Sequence, residues 1–184
     1  MNSIVAIRLA IIIIACYSIV TIVDFIEKDR YEEITESQLR DIVTAEEITV
    51  LAEERLNNRE KPAALIFYEK GIYIGSYSIY NRNGKTEYAK TMTTHKRREN
   101  PVEVIGAHGG FSYVMLKVND NRIREHMSRI VVAFDDKAEI ATEASPDRNS
   151  YIIVYDPPEE GRVPNRSSDI RIYDSEGELL FHSD

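Results

Sequence analysis

The sequence predicts a mainly β protein (α+β overall), in which an N-terminal transmembrane helix and an amphipathic helical neck precede an antiparallel β-sandwich or partial barrel. Three observations lead to this fold class. Residues 1–26 are almost wholly apolar and hold one base, Arg8, and one acid, Asp24. Residues 27–62 carry 11 acids and 6 bases. After Pro62, short runs of β-branched and aromatic residues alternate with turn residues, as is typical of antiparallel sheets.

Length and charge restrict the classes of function. The chain has 184 residues, with 23 Lys and Arg against 31 Asp and Glu, and a net charge of −8. This length accommodates one main domain with appended segments. An acidic chain does not offer the net basic surface that general nucleic-acid binding requires. We therefore expect no nucleic-acid partner, and no motif in the sequence calls for a cofactor.

The apolar segment is interpreted first as a retained membrane anchor over residues 1–26. Residues 4–26 would form a helix of about 34 Å, long enough for a hydrocarbon core of about 30 Å if Arg8 reaches the headgroups. Two alternatives stay open. The segment could be a cleaved secretory signal, or a lipoprotein signal lipidated at Cys16, because residues 13–16 resemble a bacterial lipobox.

The orientation of the anchor is not fixed by its flanking charges, because lysines and arginines occur on both sides of it. A long domain can be translocated regardless of charge, and the segment lies where export signals lie. We therefore predict a single-pass protein of the cell membrane. The lipid bilayer is its first partner, and residues 63–184 form an extracytoplasmic domain.

The charged neck, residues 27–62, contains two possible capping boxes, in which a Thr and a Glu or Gln three residues later satisfy the free N–H groups of a helix start. The first begins at Thr35 and is followed by apolar residues at helical spacing. The second begins at Thr44 and is followed by the clearer apolar stripe. We predict one or two amphipathic helices here, with the second extending to about Leu56.

The body, residues 63–184, is predicted to contain ten strands. Asn83-Gly84 indicates a type I′ hairpin turn, which needs positive φ at both positions. Residues 120–128 form either a short helix or a polar connection. The predicted strands are 63–68, 72–80, 85–93, 102–105, 111–118, 129–134, 139–143, 151–155, 169–173 and 178–182.

Two strings of residues in the body are candidate contact sites. The first is a basic string in residues 81–99, which hold six bases and two acids. It would suit anionic headgroups, an anionic polymer or another envelope protein. The second is a His-Gly-Gly loop, which can present backbone N–H groups as esterase oxyanion loops do, or can simply connect two strands. The candidate contact residues are Arg82, Lys85, Lys96, Arg97, Arg98, His108, Gly109 and Gly110.

Catalytic and metal-binding motifs are not recognised. The four histidines lie more than ten residues apart, so none of the usual short ligand spacings occurs. We therefore predict a non-enzymatic binding module, with an envelope hydrolase as one alternative. The hydrolase requires His108 or His126 within hydrogen-bond reach of a carboxylate or hydroxyl.

A third alternative is a pilin-like structural subunit. The order of membrane helix, helical neck and β body resembles type IV pilins in outline, although the glycine and Phe-Thr processing site is missing. The resemblance implies one continuous helix over residues 4–57, half of it packed on the sheet.

Overall fold

The computed structural model describes residues 13–14, 16–18, 30–108, 112–134, 138–155 and 167–183. The elements after residue 30 are, in chain order, β1 (Tyr31–Glu32), α1 (Glu36–Ala45), β2 (Thr49–Leu56), β3 (Ala63–Lys70), β4 (Tyr73–Arg82), β5 (Lys85–His95), β6 (Val102–His108), β7 (Ser112–Val118), α2 (Asn121–His126), β8 (Met127–Phe134), β9 (Glu139–Glu143), β10 (Ser150–Tyr155), β11 (Ser167–Asp174) and β12 (Leu179–Ser183).

The predicted anchor over residues 1–26 lies almost entirely outside the described residues. Within the described ranges, no helix combines the length and the apolar content needed to cross a bilayer. Cys16 belongs to the few described residues of this region, and it is an exposed free thiol.

The strands form three antiparallel sheets, one of them curved into a half-barrel, which confirms the mainly β prediction. Sheet I contains β2, β3, β4 and β5 in that order, with the short β1 also paired to β4. Sheet II has the order β10-β7-β6, and sheet III the order β12-β11-β8-β9. Each of the ten strands predicted after residue 62 is present, with ends that differ by a few residues.

The turn between β4 and β5 is the hairpin that the sequence predicted. Arg82 and Lys85 face each other in the register of the two strands. Asn83 has φ 54° and Gly84 has φ 74°, the left-handed values that a type I′ turn demands at both positions.

The neck is only partly helical. The first predicted helix is confirmed as α1: the Thr35 hydroxyl accepts a hydrogen bond from the Gln38 N–H, and the Gln38 side chain accepts one from the Thr35 N–H, completing the capping box. The second predicted helix is wrong, because residues 49–56 form β2. Glu47 has φ 51°, a left-handed conformation that ends α1 and turns the chain back.

Pairing with β3 explains why residues 49–56 are extended despite their helical spacing. The two strands are in register from Thr49 opposite Glu69 to Leu56 opposite Ala63, with one irregularity. A helix of this length would be marginal in water, whereas the strand gains a full set of interstrand hydrogen bonds. The continuous helix expected of a pilin-like subunit is therefore not formed, since α1 begins only at Glu36 and β2 follows it.

The core is layered, because α1, sheet I, sheet II and sheet III pack on one another in that order. Alternate residues of β3 point to opposite faces of sheet I: Ile66 packs with α1, and Phe67 packs with sheet II. In β7, Met115 faces sheet I, whereas Leu116 faces sheet III. Sheet II is therefore buried on both faces.

Sheets I and II also approach each other at their margins. On one side β2 lies beside β10, and on the other side β5 lies beside β6. The second of these margins contains a cleft.

Candidate binding cleft

The basic residues singled out from the sequence do not form one surface. Arg82 and Lys85 flank the hairpin turn at one end of β5, whereas Lys96, Arg97 and Arg98 follow its other end. Lys85 and Lys96 are eleven residues apart in the sequence. At the rise of an extended strand this separates them by about 36 Å. One ligand-sized patch cannot include both groups.

Lys96 is committed to an internal ion pair. Its side chain is 8% exposed, and its Nζ lies 3.0 Å from Oε2 of Glu69, which also accepts from Lys117 Nζ at 3.0 Å. Burial alone would raise the pKa of Glu69, but the hydrogen bonds and charges of Lys117 and Lys96 outweigh it and lower the pKa. Lys96 is therefore paired within the fold, and of the three basic residues that follow β5 only Arg97 and Arg98 are exposed.

The His-Gly-Gly string contributes little that can be described. His108 is the last residue of β6, opposite Ser112 of β7 in the register, whereas Gly109 and Gly110 lie outside the described residues. The other histidine that the hydrolase hypothesis requires, His126, is exposed on α2, and its Nδ1 is 2.9 Å from the carbonyl oxygen of Arg122. That contact is not the carboxylate or hydroxyl partner of a general base.

A cleft of about 350 Å³ lies where β5 and β6 run beside each other. Residues 92–95 of β5 and 103–106 of β6 line it, with Arg97 and Asn100 of the connecting segment. Adjacent residues of a strand point to opposite faces of its sheet. Because four consecutive residues of each strand line the cleft, it follows the backbone edges of the two strands.

The edges of β5 and β6 that border the cleft are not paired with any described strand. Among the described strands, β5 pairs only with β4, and β6 pairs only with β7. A strand edge of this kind presents a row of backbone N–H and C=O groups that can pair with another chain. The cleft therefore offers backbone donors and acceptors along both of its sides.

Glu103 is the residue that distinguishes this cleft from a simple gap between sheets. The residue is only 5% exposed. Its Oε1 accepts a hydrogen bond from the backbone N–H of Arg97, but no hydrogen-bond donor among the described residues reaches its Oε2. A buried carboxylate oxygen without a donor is costly, and native proteins contain few of them.

The wall formed by β5 is held in place by close contacts. The Tyr68 hydroxyl lies 3.0 Å from the Thr93 hydroxyl, and the His95 ring stacks on Tyr73 with centroids 4.8 Å apart. Gly75 allows this approach, because a Cβ there would lie 2.6 Å from the Met92 carbonyl oxygen. The position of the β5 edge is therefore fixed by packing.

A second polar cluster, which we call the Glu46 latch, lies on the other face of sheet I. The hydroxyl of Tyr77 donates to Glu46 Oε2 at 2.7 Å, and that of Tyr88 donates to Oε1 at 3.0 Å. These two hydrogen bonds lower the pKa of Glu46. Burial, together with the hydrogen bond to Glu46, raises the pKa of Tyr77. Both carboxylate oxygens are thus satisfied, and the latch fastens the end of α1 to the sheet.

Within the described ranges, no group of three or more His, Cys, Asp or Glu side chains could hold a metal ion. No family model matches the chain, and no curated protein or solved structure is significantly similar to it.

Sequence reasoning missed Glu103, although one signal was present. Val102 and Val104 alternate with Glu103 and Ile105, so the carboxylate occupies the same face of β6 as the buried Ile105. A charged residue at an inward position of a strand is rare unless it is paired. The pattern marks Glu103 as unusual, but only the packing of β5 beside β6 creates the cleft.

Proposed function

We propose that this protein is a non-enzymatic binding module tethered to the cell membrane, and that its ligand occupies the cleft between β5 and β6. The observation that carries the proposal is the free Oε2 of Glu103, a buried acceptor without a donor among the described residues. Burying a charge in this state lowers the stability of the free protein. A ligand that donates a hydrogen bond to Oε2 removes that cost.

The ligand that such a site favours is a cation. A protonated amine or a guanidinium supplies the hydrogen bond that Oε2 lacks together with a positive charge, and charge-assisted hydrogen bonds are the stronger ones. The volume of about 350 Å³ lies within the range of small-ligand sites. Arg97 is exposed at the rim, and its guanidinium forms no ion pair with Glu103 among the described contacts.

The membrane tether is proposed from the apolar residues 4–26, and one contact is relevant to its geometry. Arg30 exchanges two hydrogen bonds with Asn83 of the hairpin turn, at 2.8 Å and 2.9 Å. The chain that follows the tether therefore joins the body at the end of β5 remote from the cleft. In this arrangement the cleft faces away from the bilayer, in the extracytoplasmic space.

The cleft can be tested with n-butylguanidinium chloride as a probe for the full-length chain in detergent micelles. We expect the probe to raise the melting temperature relative to sodium chloride at equal ionic strength. Glu103→Gln should abolish the shift, whereas Glu99→Gln, an exposed acid in the β5–β6 connection, should retain it. An equal shift in the wild type and in Glu103→Gln would show that the cation binds elsewhere.

The tether and its orientation need a separate experiment. A single cysteine is introduced at the exposed Glu99 in a Cys16→Ser background, and a membrane-impermeant maleimide is added to intact cells. We expect labelling before lysis, together with retention of the chain in the membrane pellet after an alkaline wash. Labelling only after lysis would contradict the extracytoplasmic orientation, and release into the supernatant would contradict the anchor.

A further inference from the structure

We infer that the natural ligand of the cleft is an extended peptide segment of another protein that carries an arginine or a lysine. The inference rests on the proposed function and names its ligand class. It is drawn from two properties of the same site, the free strand edges and the buried carboxylate.

The free edges point to a polypeptide in the extended conformation. Residues 92–95 and 103–106 border the cleft on its two sides, and no described strand pairs with either edge. Four residues of a strand extend about 13 Å. A peptide of that length can add to the edge of β5 by backbone hydrogen bonds, as an additional strand of sheet I. Recognition of this kind derives affinity from the main chain and specificity from alternate side chains.

Glu103 supplies the side-chain specificity. It lies on β6, across the cleft from the edge of β5, and its buried Oε2 has no donor among the described residues. Lys117 lies opposite Glu103 in the register of β6 and β7, but its Nζ pairs with Glu69, and the ion pairs of the described residues include none to Glu103. A basic side chain that projects from a peptide strand on β5 can reach this carboxylate. A neutral side chain would leave the buried charge without a partner, and an acidic one would be repelled.

The two properties exclude simpler ligands as the best fit. A small amine or guanidinium would satisfy Glu103 but leave both strand edges unused. An extended peptide without a basic residue would pair with the edges but leave the carboxylate unpaired. A basic extended segment satisfies both, which is the reason we assign it to the cleft.

The probe for the experiment is an acetylated and amidated peptide of alternating threonine and valine around one central arginine, labelled with fluorescein. A matched peptide has glutamine in place of the arginine. Fluorescence anisotropy is measured against the full-length chain in detergent micelles. We expect the arginine peptide to bind roughly tenfold to hundredfold more tightly than the glutamine peptide, which corresponds to one hydrogen bond to a charged group.

Variants assign this difference to the cleft. In Glu103→Gln the preference for arginine should disappear, and in Glu99→Gln it should persist. Circular dichroism shows whether the variants are folded, and if Glu103→Gln is not, the two peptides on the wild-type chain carry the test alone. Equal affinity of the wild type for the two peptides would overturn the inference.

Hydrogen exchange distinguishes the peptide from a small cation. Bound arginine peptide should slow the exchange of backbone amides within residues 92–95, because alternate N–H groups of this edge become hydrogen-bonded. n-Butylguanidinium should not slow them. If the cation binds through Glu103 but the arginine peptide protects no edge amide, the peptide assignment fails while the binding cleft stands. If neither probe binds, both proposals fail.

Discussion

Two carboxylates on opposite sides of sheet I differ in how completely their oxygens are hydrogen-bonded. Glu46 receives hydrogen bonds on both oxygens, from Tyr77 and from Tyr88, and so fastens α1 to the sheet. Glu103 is more deeply buried, yet only one of its oxygens has a donor among the described residues. The hydrogen bonds to both oxygens of Glu46 hold the fold together. Glu103 has one oxygen without a donor in the described part of the chain, and this is the oxygen to which a ligand can donate.

The largest expected effect comes from comparing two glycines, Gly75 of β4 in sheet I and Gly106 of β6 in sheet II. A Cβ at Gly75 would lie 2.6 Å from the Met92 carbonyl oxygen and 2.7 Å from the Tyr68 hydroxyl, whereas at Gly106 it would meet only the Tyr113 carbonyl oxygen at 3.5 Å. Gly75→Ala should lower the free energy of unfolding by about 1–3 kcal/mol, because neither the backbone nor the packed ring can move freely.

Gly106→Ala serves as the matched control, and it should change the free energy of unfolding by less than about 0.5 kcal/mol. Both values can be measured by urea unfolding of the full-length chain in detergent, followed by circular dichroism. Equal losses in the two variants would mean that the approach of β3 to β5 at Gly75 is looser than described.

The next largest effect separates the two carboxylates directly. Tyr77→Phe removes one hydrogen bond to the charged Glu46 and should lower the free energy of unfolding by about 1.5 kcal/mol. Glu103→Gln should leave it unchanged or raise it, because the substitution removes a buried charge that lacks a second donor. Urea unfolding of the two variants in parallel tests these opposite signs. A large decrease in the free energy of unfolding of Glu103→Gln would show that Glu103 also stabilises the fold.

The smallest effect is a dependence on pH. The pKa of Glu46 is lower in the folded chain than its ordinary value of 4.5. Its contribution to stability is therefore complete above pH 4.5 and is lost as the pH falls through the lowered folded pKa. The double variant Tyr77→Phe, Tyr88→Phe should lose less stability than the wild type between pH 6 and about pH 3. The urea midpoint of each protein is measured across this pH range. An identical change of the midpoint with pH in the two proteins would contradict the prediction.

The ten strands after Pro62 could be predicted because their signals are local. Each contains β-branched or aromatic residues between turn residues, and at Asn83-Gly84 the turn type itself follows from the two residues. The capping box at Thr35 is local as well, and it is present as expected. Such features depend on neighbours within a few positions.

The failures concern features that depend on distant partners. Residues 49–56 have helical spacing, but pairing with β3 decides their conformation. The basic residues within 81–99 are close in the sequence, but the length of β5 places them in two separate groups. Glu103 became a candidate only when the structure brought β5 beside β6 and left one of its oxygens unpaired. A single sequence does not encode these long-range arrangements in any short pattern.

The contact between Arg30 and Asn83 has a mechanical consequence. A pull on the chain before Arg30 acts first on the two-residue β1 and on the hairpin tip, where the strand pairs Tyr31 with Arg82 and Glu32 with Asn81. These few hydrogen bonds would break before the force reached the distant end of β5. A force applied before Arg30 would therefore break this short pairing first, and the β5–β6 cleft would keep its geometry.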